Sequence, residues 1–235
     1  MINKTKFQVE QKAFKILKKT GMLIIDQVNG FCTVGAGNLA PLKYNQQINN
    51  MIKETSKLAK IFTSNSMPIC LFLDNHEEDR PEYPFPPHCI KGTGEELLVT
   101  ELEWLKQTDS LMISKDCING FIGSIEKNTN KNLFIEWIKK NQIETLIVTG
   151  ICTDICVLDF VLTCMSAINH QIIKPLSEIV VFSEACATYH MEQKDLDRLN
   201  LDQSMLHDQE NYHQIGLKIM QMRGALISNK IIFKA

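Results

Sequence analysis

Cys156 stands in the segment Glu144-Thr-Leu-Ile-Val-Thr-Gly-Ile-Cys-Thr-Asp-Ile-Cys-Val-Leu-Asp-Phe160. A β-branched run, a glycine turn and an apolar helix pattern follow one another there. The turn places Cys156 near the first turn of the helix, where free N–H groups and the helix dipole favour a thiolate. A thiolate is a nucleophile, so the position suits covalent catalysis. Taken alone, a buried cysteine more often only packs. Asp26, in Leu23-Ile-Ile-Asp-Gln-Val-Asn-Gly-Phe31, follows a buried run, where poor solvation raises a carboxyl pKa and suits it to proton transfer near neutrality. Lys115, in Ile113-Ser-Lys115, could balance that charge. A turn cap for Asp26 and a structural ion pair for Lys115 are the plainer readings.

Between Gly150 and Cys156, the N–H groups of Cys152 and Cys156 are candidate oxyanion donors, and Thr153 or Asp154 is the expected N-cap of the helix. Cys152 and Cys156 also share the four-residue spacing of one helix face, so a redox pair is an alternative, although C-x-x-C spacing is absent. A second cluster lies in Leu73-Asp-Asn-His76 and Pro86-Pro-His88-Cys. Asp74 and His76 share a face of an extended chain, and a proline-stiffened loop could return His88 to them, with Glu82 as a fourth ligand. Two imidazoles and a carboxylate suit a divalent ion: zinc first, with manganese or iron fitting the same ligands.

These residues need elements that converge. Short apolar runs at 22–25, 69–73, 111–114, 146–149, 179–182 and 225–227 read as buried parallel strands. Helical patterns separate them at 45–65, 130–141, 154–169 and 209–222. This alternation predicts a doubly wound, mostly parallel six-stranded sheet in an α/β/α sandwich. In such sheets ligands bind beyond the carboxyl ends of the strands, where Asp26, Asp74, Lys115 and Cys156 all fall. The proline-rich stretch 74–96 reads as a functional loop, and the polar stretch 190–208 as a mobile surface segment.

The 235 residues fit one domain spanning 1–235. Residues 1–20, with six lysines, read as a solvated N-terminal helical extension. The formal charge of −2 gives no reason to expect a nucleic-acid partner, and no apolar run is long enough to span a membrane. Eight scattered cysteines without a signal peptide suggest free thiols and a cytoplasmic protein.

From about Gly21 to Phe233 the chain resembles the isochorismatase-like hydrolase superfamily, and within it the nicotinamidases. The motifs that carry the likeness are L-I-I-D26 with Phe31, D74-x-H76, P-P-H88-C-x-x-G-T, Lys115 and G150-I-C-T-D-I-C156. The resemblance implies an Asp26–Lys115–Cys156 triad, a metal site at Asp74, His76 and His88, and an added contact from Glu82. It also implies a non-proline cis peptide at Ile151–Cys152 and a substrate ring packed on Phe31. The expected reaction is hydrolysis of nicotinamide to nicotinate and ammonia through a cysteine thioester, with the metal holding the pyridine ring. Many relatives assemble, so a homo-oligomer is a further expectation. The alternatives are a cysteine amidohydrolase acting on a carbamoyl or ureido compound, and a non-catalytic metal- or thiol-binding module.

Overall fold

The computed structural model describes residues 9–233. The core is a six-stranded sheet built from β2 (Thr20–Ile25), β3 (Ile69–Asp74), β4 (Leu111–Lys115), β5 (Thr145–Ile151), β6 (Glu178–Ala187) and β7 (Leu226–Ser228). Its order is β4-β3-β2-β5-β6-β7, and every neighbouring pair is parallel. All six predicted strands are present.

The sheet is buried on both sides because successive side chains of one strand face opposite layers. Met22 and Ile24 enter one apolar cluster, and Leu23 and Ile25 enter the other. Helix α2 (Gln46–Ser64) covers the first face with buried Ile48, Met51, Leu58 and Phe62. Helices α4 (Leu133–Asn141), α5 (Cys156–Asn169) and α7 (Gln209–Met222) cover the second with Phe134, Phe160 and Leu217. The short helices α1 (Asn29–Cys32), α3 (Gly120–Gly123) and α6 (Gln193–Leu199) lie in connections. The result is the expected three-layer sandwich. Strand order reverses between β2 and β5, and this switch point opens the crevice where ligands of such sheets bind.

Two expectations are corrected. The leading segment is not a helical extension over its described part. Ala13–Lys15 forms strand β1, parallel to β8 (Lys230–Ile232), and Thr20 already belongs to β2. Residues 1–8 lie outside the described residues. The segment 190–208 is not a loose surface strip either. It contains α6, buries Met191, Leu196 and Met205, and closes with an antiparallel bridge between Met191 and His207. Its apolar residues are too widely spaced for a sequence window to show one buried face.

Candidate active site

Asp26 follows β2 directly, in the left-handed region at φ 53°. A non-glycine residue rarely adopts that conformation, and functional turns are where it tends to be kept. Its N–H donates to the Phe72 carbonyl at 3.0 Å, and its own carbonyl accepts from the Val28 N–H at 2.8 Å. Lys115 is the last residue of β4 and is paired in register with Asp74, the last residue of β3. Its Nζ lies 2.9 Å from Asp26 Oδ2 and 2.6 Å from Asp74 Oδ1. The ammonium is fully buried between two carboxylates. Those charges raise its pKa well above the ordinary lysine value, although burial alone would lower it.

Cys156 is the first residue of α5 and is buried. Its thiol lies against the Asp26 carboxyl, which also faces the Lys115 ammonium. Burial pushes the Asp26 carboxyl up to about 7; the Lys115 charge opposes this and the Asp74 charge adds to it. Burial likewise pushes the Cys156 thiol well above its ordinary value, against the pull of Lys115. The helix terminus therefore does not leave a resting thiolate, as its sequence position suggests. The pair rests as thiol beside a carboxyl titrating near neutrality, an acid–base arrangement.

Gly150 makes the turn before Cys156 possible. Its φ is 135°, and a Cβ there would run into the Ile25 carbonyl oxygen. The Ile151–Cys152 peptide is cis. Among the described residues, neither the Cys152 nor the Cys156 N–H donates to a backbone acceptor, whereas the Thr153 N–H donates to the Ala187 carbonyl and the Ile155 and Val157 N–H groups donate to the Cys152 carbonyl. Both N–H groups thus remain available to an oxyanion. The expected cap is absent: Ile155 is the N-cap of α5 and there is no side-chain cap bond, Thr153 Oγ1 pairs with His213 Nδ1, and Asp154 pairs with His207.

The loop after β3 returns on itself through two bonds, from the His76 N–H to the Cys89 carbonyl at 3.0 Å and from the Lys91 N–H to the His76 carbonyl at 2.9 Å. This return brings His88 to Asp74 and His76. Asp74 Oδ2 lies 3.0 Å from His76 Nε2 and 3.2 Å from His88 Nε2. Glu82 Oε2 lies 3.8 Å and 3.7 Å from the same two nitrogens. Ligand atoms about 2.1 Å from one tetrahedral ion stand roughly 3.4 Å apart, so this donor set fits zinc or a similar cation. His88 Nδ1 donates to the Pro86 carbonyl at 2.8 Å, which leaves Nε2 free as a ligand. Asp74, His76 and His88 bring their ligand atoms within 4.8 Å of one another; Glu82 faces the two imidazoles from outside that tight group.

Beside these groups a narrow cleft is lined by Phe31, Leu39, Phe85, Ile118, Ile155 and Tyr189, with Cys152 and Cys156 in its wall. The Phe31 ring sits 5.5 Å from that of His88. Sequence reasoning found Phe31 but missed Tyr189. Tyr189 sits just beyond the carboxyl end of β6, which runs to Ala187, well past the short apolar run that marks the strand in the sequence. All the residues expected at the strand ends converge here.

The isochorismatase domain model matches residues 20–208 of the chain. Nicotinamidase 1 of Arabidopsis thaliana is 46% identical over 218 residues, covering 91% of this chain and 87% of that protein. The crystal structure of nicotinamidase PncA from Bacillus subtilis superposes with a TM-score of 0.65 at 22% identity, over 90% of this chain and all of that one. The pyrazinamidase of Pyrococcus horikoshii in complex with zinc has the same fold, at a TM-score of 0.61 and 18% identity over 89% of this chain and 98% of its own. The domain match, together with an extended relative at that identity, shows that the chain belongs to the isochorismatase domain family.

Proposed function

We propose that the chain is an amidohydrolase that cleaves nicotinamide to nicotinate and ammonia, with Cys156 as nucleophile. One observation carries the reading: the Lys115 ammonium is held between Asp26 and Asp74, which joins the acid–thiol pair to the histidine cluster. The 46% identity with Nicotinamidase 1 supports the choice of substrate.

Asp74, His76 and His88 would hold a divalent ion, and Glu82 would contact it from the cluster's edge. The nitrogen-rich donor set points to zinc. When bound, such an ion supplies a Lewis-acid anchor for the ring nitrogen of the substrate. Phe31 packs against the ring. Asp26 takes the proton from the Cys156 thiol as sulfur attacks the carboxamide carbon. Lys115 holds Asp26 in place and offsets the negative charge that passes through the site. The N–H groups of Cys152 and Cys156 receive the developing oxyanion. As the C–N bond breaks, Asp26 delivers its proton to the departing amine, releasing ammonia and leaving a nicotinoyl thioester. Asp26 then removes a proton from water, whose oxygen adds to the acyl carbon. The C–S bond breaks, Cys156 recovers its proton and nicotinate leaves.

A cysteine hydrolase acting on a carbamoyl or ureido compound needs the thiol and the carboxyl but has no use for a ring anchor beside them. The test compares ammonia release from nicotinamide and benzamide by metal-analysed protein. Benzamide lacks the ring nitrogen. Strong preference for nicotinamide supports the reading, whereas equal rates remove the ring-anchoring role of the cluster.

A further inference from the structure

Two of the three residues between Cys152 and Cys156, Thr153 and Asp154, are gripped by the part of the chain beyond β6. Thr153 Oγ1 pairs with His213 Nδ1 at 2.8 Å. Asp154 Oδ2 lies 2.8 Å from His207 Nε2, across 53 residues of sequence. Helix α7 comes so close at Gly216 that a Cβ there would stand 2.8 Å from Asp154 Cα. The family match ends at residue 208, so His213 and Gly216 lie outside it.

His207 is the hub of this grip. Its ring is stacked between Tyr189, at 4.1 Å, and Tyr212, at 4.3 Å, each inclined by only 17°. Its Nδ1 lies 2.9 Å from the Tyr189 carbonyl, so both ring nitrogens face acceptors. The ring thus bridges the Tyr189 carbonyl and the Asp154 carboxylate while lying nearly flat between two aromatic faces. Burial raises the Asp154 carboxyl, but the contact with His207 opposes it, and the group is held below its ordinary value, as a carboxylate. Tyr189 also lines the cleft beside Cys152 and Cys156. One imidazole thus touches the nucleophile turn on one side and the cleft wall on the other.

We propose that His207 is a positioning residue for the reaction: bonded to Asp154 and stacked on Tyr189, it sets the Cys152–Cys156 turn against the cleft. A carboxylate bonded to a sandwiched imidazole restrains the turn more tightly than packing alone, and small displacements of a reacting atom are costly. A shift of about 1 Å can lower a rate on the order of 100-fold. The same contacts explain why the polar segment 190–208 is folded onto the body of the protein. The proposal rests on Cys156 being the nucleophile of the reading above.

The test uses the full-length, metal-loaded protein and three variants: His207→Ala, Tyr212→Ala and Tyr212→Phe. Two quantities are read at 25 °C: kcat and KM for nicotinamide, and the rate of Cys156 alkylation by iodoacetamide, followed by peptide mass mapping. For His207→Ala, kcat should fall about 10–100-fold, with a smaller change in KM. Tyr212→Ala should move kcat in the same direction by less, and Tyr212→Phe, which keeps the stack, should resemble the parent. If His207→Ala does not fold, the two Tyr212 variants decide. Folded His207→Ala and Tyr212→Ala proteins that melt at lower temperature yet keep the parent kcat would overturn the proposal, because that is what a purely structural contact produces. Should the parent protein itself not hydrolyse nicotinamide, the substrate reading fails separately and alkylation decides. An altered Cys156 rate in His207→Ala supports positioning of the turn; an unchanged rate overturns it.

Discussion

Asp74 and Lys115 meet at 2.6 Å in the buried floor of the site, while the other oxygen of Asp74 faces His76 and His88. A single carboxylate thus touches both the Asp26–Lys115–Cys156 group and the histidine cluster. The in-register pairing of Asp74 and Lys115 at the ends of β3 and β4 produces the contact. A change on either side should be felt on the other.

Replacing Lys115 by Met leaves Asp26 and Asp74 without the cation between them. Breaking a buried pair by removing one partner costs about 3–5 kcal/mol. Urea denaturation of the metal-free Lys115→Met variant should show a loss of that order. A loss below about 1 kcal/mol, the range of surface pairs, would contradict the buried bridge.

Asp26 should titrate near pH 7 in the metal-free protein, since burial raises it to about 7. The 13Cγ resonance of Asp26 reports this directly. The folded state binds this proton more tightly than the unfolded chain does. Asp26 therefore adds to stability fully only below its unfolded pKa of about 4, and the contribution fades as pH rises towards 7. A midpoint near 4 would remove the base assigned to the thiol.

Changing both His76 and His88 to Ala should strip the metal. The loss in affinity should exceed the roughly 10–100-fold typical of a lost outer-shell partner. Elemental analysis of the purified variant checks it, together with a rise in KM for nicotinamide. Retention of the parent's metal stoichiometry would reject the ligand assignment.

Gly150→Ala should destabilise the turn that carries the nucleophile. The position has φ 135°, and a Cβ would strike the Ile25 carbonyl oxygen. Strained positions of this kind cost about 1–3 kcal/mol each before any clash is counted. Thermal melting and nicotinamide turnover should both fall; a variant that matches the parent in both would show that the close approach is dispensable.

Much of this site was legible in the sequence because a parallel sheet imposes simple rules. Buried β-branched runs mark the strands, and the residue after each run must lie at one rim. That reasoning alone brought Asp26, Asp74, Lys115 and Cys156 together. Contacts that depend on register or on distant segments carried no such mark. The shared use of Asp74 needed the β3–β4 pairing. Thr153 and Asp154 carry ordinary helix-cap side chains, yet they turn to His213 and His207, partners far along the chain. Strand β1 has three residues and exists only because β8 lies beside it, so local pattern could not separate it from a charged helix. The thiol state of Cys156 was misjudged for a related reason. The helix terminus is visible in sequence, but the burial that outweighs it is not.

The most direct test is turnover by the Cys156→Ala variant, with its metal content matched to that of the parent protein. The parent should release ammonia and nicotinate from nicotinamide in equal amounts, and the variant should release neither above the uncatalysed background while still binding metal. Ammonia release by the metal-loaded variant at a rate near the parent's would mean that the sulfur forms no bond to the substrate.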